Sequence, residues 1–315
     1  MEHPNPMTRT EGLEPPQEVP RGERSAPSVW SSVLALIVGP LAAGLAVEFV
    51  LILVSAPGSG APDRGLWAHA TEWLQRNAGT LPGLLVLILP GQAVFLAIAL
   101  VLAAGSEGGV RGRLGLTAPR ASGSALALAV AGTLGIQWAI SFVFDLTRIE
   151  PSAHLKEMWR IMCAPTGIAA VIAAVLLSVV PAVCEETLYR GLGQRVLVAR
   201  WSAPVGIAVV SVLFAAAHTD VQHAIVVLPI GLWLGFVAWR TGSTRASMAC
   251  HAANNLSAFV VGRLWGDPES GSLPATWPFT LAGILLCACA VIAIRAMGRT
   301  APEPEGSMPE LEPNS

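Results

Sequence analysis

The sequence predicts an all-α polytopic membrane protein of about eight transmembrane helices, with a catalytic core in helices 4–7. Three observations predict it. The 315 residues are 53% hydrophobic and 13% charged, against roughly 25% charged in soluble globular chains. Apolar stretches near the ~20 residues needed to cross a bilayer recur along the chain. Within three of them, polar or aromatic residues stand four apart, which puts both members of each pair on one helix face.

Residues 1–27 are rich in Pro, Glu and Arg and lack apolar periodicity, so they read as a disordered cytoplasmic arm without the apolar core of a signal peptide. Residues 28–164 hold the first three spans, at 29–54, 81–104 and 122–146, with their loops. Residues 165–262 hold the next four, at 166–187, 203–219, 223–240 and 244–262. The eighth span, 275–297, lies in the segment 263–299, and 300–315 is an acidic, Pro-rich tail expected to be disordered. Pro40, Pro90, Pro181 and Pro229 fall inside spans and are expected to kink or locally unwind them.

Arginines mark the connections that begin at Arg111, Arg190 and Arg240, and the C-terminal flank carries Arg295 and Arg299. The positive-inside rule then places both termini in the cytoplasm, although Arg148, Lys156 and Arg160 stand on the other side; the missing signal-peptide pattern and the single lysine fit a bacterial inner membrane. The Gly-rich basic connection 105–121 suits a surface segment at anionic headgroups, and 147–165 suits a short amphipathic helix at the opposite interface. The partner this composition predicts is the lipid bilayer. With 19 basic against 21 acidic residues, nothing suggests nucleic-acid binding. Cys163, Cys184, Cys250, Cys287 and Cys289 form no CxxC pair and read as small packing residues.

Three clusters carry chemistry. Glu185 and Glu186 close the fourth span, and Glu186 pairs with Arg190 at i,i+4 in the favourable order. Glu185 faces about 100° away and is free to react. Each such charge deep in a span costs roughly 2.5–3.5 kcal/mol, so an accident of sequence would not keep three of them. The bland alternative is a helix end with snorkelling charges. Phe214 and His218 form the second cluster, His251 and Asn255 the third. Imidazole and amide N–H groups suit an oxyanion, and polar helix packing is the alternative for each. Gln92 and Gln137 read as helix–helix hydrogen-bonding residues.

Glu186 and His218 lie equally far from a turn near Ser202, about 24 Å at helical rise, so an acid and an imidazole sit at one depth and can share a water. His251 lies only about 12 Å past the turn near Ser243. Reconciling these depths requires the 187–203 hairpin to protrude, or the helices to tilt.

EExxxR, FxxxH and HxxxN in this order and spacing resemble the CPBP family, which comprises CAAX prenyl endopeptidases of the Ras-converting type and bacteriocin-processing relatives sharing the ABI domain. The resemblance covers about 165–262, including CEETLYRGLGQRV and SVLFAAAHTD. It implies an eight-helix intramembrane endopeptidase whose cavity opens toward the cytoplasm. By motif, Glu185 and His218 would activate water, His251 and Asn255 would stabilise the oxyanion, Glu186 and Arg190 would support them, and Phe214 would wall the site. The substrate would be a peptide or membrane protein, a lipidated one among the candidates.

No cofactor is favoured. Zn²⁺ remains an alternative, with Glu185, His218 and His251 as its ligands, although no HExxH occurs. A non-catalytic scaffold or immunity protein that binds a peptide or lipid in the same cavity is the competing function. A coupled transporter is a third, without an inverted-repeat signature.

Overall fold

A computed structural model describes residues 27–56, 65–104, 109–265 and 277–296, and every regular element among them is helical. The arm expected over 1–27, except its last residue, and the tail at 300–315 lie outside the described residues. In chain order the helices are α1 (Val29–Val54), α2 (Leu66–Asn77), α3 (Leu81–Ala103), α4 (Gly109–Arg113), α5 (Gly123–Thr147) and α6 (Ala153–Cys163). Then follow α7 (Gly167–Glu186), a π-helical segment (Thr187–Gln194), α8 (Arg195–Arg200), α9 (Ala203–Ala216), α10 (Val221–Thr241), α11 (Thr244–Trp265) and α12 (Trp277–Ala296).

Local chemistry sets the boundaries. Ser28, Thr80, Ser202 and Asp220 each cap a helix by accepting a backbone N–H with the side chain. Gly242 turns α10 into α11 with φ +65, a left-handed conformation that glycine adopts without strain. Pro40, Pro90, Pro181 and Pro229 lie inside helices that run through them unbroken. The local unwinding expected at a proline falls instead at Thr187–Gln194, which contains none.

Each predicted span coincides with a helix. Among the described residues, five helices are long and apolar enough to cross a membrane: α1, α3, α5, α10 and the continuous run Gly167–Arg200. Of the rest, α9 has 14 residues, about 21 Å at helical rise, and α11 is diluted by its own polar residues, Asn254 and Asn255 among them. His69 lies in α2, a helix within a connection, and the short amphipathic helix expected in 147–165 is α6, which carries His154 in its first turn.

Glycine permits the closest crossings. A Cβ on Gly135 of α5 would lie 2.1 Å from the Gly283 carbonyl oxygen of α12, so these helices touch backbone to backbone. Around the π-helical segment, Leu188, Tyr189 and Leu192 are enclosed by Leu36, Phe95, Leu114 and Phe214. The segment carrying the EExxxR motif is thereby buried among α1, α3 and α9.

Basic residues divide unevenly between the two ends of the bundle. One end carries Arg111, Arg113, Arg120, Arg195, Arg200, Arg240, Arg245 and Arg295, and its segments contain no Asp or Glu among the described residues. At the other, Arg76, Arg148, Lys156, Arg160 and Arg263 alternate with Glu72, Glu150, Glu157 and Asp220. There Arg160 pairs with Glu157, whose carboxyl this partner holds below its ordinary range.

Candidate active site

A π-helical turn holds one residue more than an α-helical one, which re-aims the side chains on either side of it. Here it begins directly after Glu186, and Glu186 and Arg190 are both fully buried. Glu186 Oε1 accepts hydrogen bonds from Arg190 Nη1 at 2.8 Å and from His251 Nδ1 at 3.0 Å. Arg190 Nη2 donates to the Gly231 carbonyl at 3.1 Å, and its guanidinium lies 4.3 Å from the centre of the Phe214 ring. A buried cation is thus held by a carboxylate, a carbonyl and an aromatic face.

Glu185 points elsewhere. Its Oε1 accepts from Gln92 Nε2 of α3 at 2.8 Å, and its Oε2 lies 3.9 Å from His251 Nε2. The His251 ring therefore stands between two glutamates, bonded to Glu186 through Nδ1 and facing Glu185 with Nε2. His218 lies not on the helix, as its spacing from Phe214 suggested, but in the turn just after α9, which ends at Ala216, and its Nδ1 is 2.9 Å from the Phe214 carbonyl oxygen. A carbonyl only accepts, so Nδ1 carries the proton and Nε2 of neutral His218 is left as an acceptor. Asn255 donates to the Leu177 carbonyl at 3.3 Å and accepts from Asn254 at 3.2 Å, keeping one amide N–H uncommitted.

Glu185, Gln92, Phe214, His218, His251, Asn254 and Asn255 all line one cavity of about 900 Å³. Its wall continues along Leu177, Ile140, Phe144 and Met158 to an exposed rim at Arg148, Glu150 and His154. Toward the opposite end of the bundle, Gln194, Thr241, Ser243, Thr244 and Ser247 are packed polar residues, each no more than 3% exposed. The cavity is thus a shaft with its polar floor deep in the bundle and its rim at the end where α6 lies.

Residues 167–257 match the family model described as Type II CAAX prenyl endopeptidase Rce1-like. Over this segment the chain is similar to the CPBP/CAAX protease family. No curated protein and no solved structure matches the chain. The Rce1-like segment spans α7 through most of α11 and so includes Glu185, Glu186, Arg190, Phe214, His218, His251 and Asn255.

Of these, Glu185, Glu186, Arg190 and His251 form one contiguous polar cluster, which Phe214 covers. His218 and Asn255 share the cavity wall with Glu185, and no hydrogen bond among the described residues joins either to it. Two residues outside the motifs take part. Gln92 makes the helix–helix hydrogen bond that its sequence context suggested, and its partner is Glu185; Asn254 holds Asn255. An amide in the middle of the apolar run 81–103 was the signal for Gln92, but nothing local named its partner.

Toward a zinc ion, His251 and His218 each keep Nε2 available, their Nδ1 atoms being held by Glu186 and a carbonyl as those of metal-ligating histidines commonly are. Among the described residues, however, no three His, Cys, Asp or Glu side chains are gathered so as to hold a metal ion.

Proposed function

We propose that this protease is an intramembrane endopeptidase in which Glu185, assisted by His218, activates a water against a peptide bond. The observation that carries this reading is the asymmetry of the two adjacent glutamates. Glu186 is committed to Arg190 and His251, whereas Glu185 keeps one oxygen free on the cavity wall. The water oxygen would bond to the carbonyl carbon while its proton passes to Glu185 or to His218 Nε2. The oxyanion would be met by the remaining N–H of Asn255 and by His251 Nε2. Return of the proton to the amide nitrogen would break the C–N bond, giving an acid and an amine with no acyl-enzyme.

His251 acts here under a constraint. With Nδ1 donating to Glu186, Nε2 donates only when the ring carries both protons, and Glu186 supplies the balancing charge. Glu186 and Arg190 are therefore positioning residues that set the state of His251. No step in this scheme requires a metal.

Two earlier expectations point to opposite ends of the bundle: termini in the cytoplasm, and a cavity open to the cytoplasm. The termini of the bundle lie at the arginine-bearing end, and the cavity rim lies at the other. Insertion follows Lys and Arg. On that ground the rim faces the non-cytoplasmic side, and substrates are peptide segments exposed there or in that leaflet.

The deciding experiment compares membrane-associated peptides in cells carrying wild type and Glu185→Gln at equal expression. A positioned general base contributes about 10²–10⁴-fold, so the variant should lose cleavage of every substrate. Retained biological activity without cleavage would favour a binding scaffold.

A further inference from the structure

At the end of the bundle away from the cavity rim, arginines from three separate segments meet. Arg113 closes α4, Arg120 lies in the connection to α5, and Arg195 opens α8. Arg113 and Arg120 are both close enough to repel the Arg195 guanidinium.

Backbone hydrogen bonds hold them there. Thr244 donates its N–H to the Gly115 carbonyl at 2.9 Å and its hydroxyl to the Leu114 carbonyl at 2.7 Å. The Ser243 hydroxyl donates to the Thr117 carbonyl at 2.6 Å, and the Arg120 N–H to the Thr241 carbonyl at 2.8 Å. Gly115, at φ +61, leaves the room that Arg195 fills: a Cβ there would lie 3.0 Å from Arg195 Nη1 and 3.0 Å from Thr244 Oγ1. The Arg120 stem passes Gly242, whose Cβ would lie 3.8 Å from its Cδ. The backbone that carries Arg113 and Arg120 is therefore pinned to the start of α11, with the Arg195 guanidinium seated against Gly115.

Segments 109–122, 195–204 and 240–246, which build this end, contain no Asp or Glu. Among the described residues no carboxylate pairs with Arg113, Arg120 or Arg195. Like charges gathered on a stiff frame repel one another, and an anion placed between them removes that repulsion. Guanidinium forks match the oxygens of a phosphate. The frame lies at the start of α5 and the end of α10, two helices long and apolar enough to cross a membrane, and the ends of such helices meet the headgroup layer.

We propose that Arg113, Arg120 and Arg195 form a phosphate-binding site for the headgroup of an anionic lipid. The proposal stands apart from the peptidase reading, since none of the three lines the cavity. It also differs from general attraction of a basic face to an anionic membrane, in which each arginine of that end would count alike.

Native mass spectrometry of the full chain, purified with equal phosphatidylglycerol and phosphatidylcholine of matched acyl chains, tests it. Expected is preferential retention of phosphatidylglycerol, lowered about fivefold by Arg113→Gln or Arg195→Gln and left within about twofold by Arg200→Gln. Arg195→Lys keeps the charge without the fork and should lose an intermediate share, which holds the test open should Arg195→Gln not fold. Equal losses in all the glutamine variants, or no preference for phosphatidylglycerol, would overturn the site. Inorganic phosphate that displaces the lipid completely at millimolar concentration would reassign the site to a soluble anion and overturn the lipid.

Discussion

Gln92 holds the glutamate that the proposed mechanism assigns to water activation. Its amide fixes Glu185 Oε1, leaving Oε2 as the oxygen nearest His251. Replacing Gln92 with Leu keeps the packing volume and removes the donor. The expected outcome is a kcat lower by about tenfold with KM little changed, the pattern of an interaction that matters in the transition state. Unchanged kcat in steady-state assays on a cleaved peptide would show that Glu185 needs no such anchor. Arg190 is a different case, because its charge is buried with that of Glu186. Arg190→Met leaves the carboxylate without its cation and should cost about 3–5 kcal/mol of stability. Denaturant unfolding in detergent reads that loss, and a change below about 1 kcal/mol would contradict the assigned pairing.

The decisive element is the π-helical turn in the long helix from Gly167 to Arg200. It follows the acidic pair directly and buries all eight of its residues. Two glycines make that burial feasible. A Cβ on Gly191 would lie 2.9 Å from the Leu114 carbonyl oxygen, and one on Gly193 2.7 Å from the Leu36 side chain. Gly191→Ala must therefore push the 114–120 connection away, at about 1–3 kcal/mol for overpacking. Gly44→Ala in α1 meets nothing within 4 Å and serves as the control. Melting temperatures of the two variants in one detergent should separate clearly, and similar values would mean that the turn adapts. Along the chain Glu186 and His251 lie at different distances from their turns, yet packing brings His251 Nδ1 within 3.0 Å of Glu186 Oε1.

For the whole molecule, charge and cavity together define a direction. Eight arginines gather at one end of the bundle, and the shaft leads to the other, where α6 forms part of the rim. Single cysteines can test the sidedness. In intact cells an impermeant maleimide should label Glu150→Cys at the rim, and should label Arg111→Cys only after permeabilisation. The reverse pattern would place the rim in the cytoplasm and restore the access that family resemblance implied. Neither result depends on whether the chain cleaves anything.

Much of the architecture was legible because hydrophobic spacing is a local property. Every predicted span meets a helix, and each of EExxxR, FxxxH and HxxxN contributes residues to a common cavity: Glu185 from the first, Phe214 and His218 from the second, His251 and Asn255 from the third. Glu186 and Arg190 could be paired from spacing alone, since four residues is one helical turn. What a linear pattern does not contain is which faces meet. Only the packing of α3 against α7 joins Gln92 to Glu185, and only α11 running antiparallel to α7 sets His251 between the two glutamates. The end at which the shaft emerges was likewise decided by packing, because a cavity is the space several helices fail to fill, and no single segment encodes it.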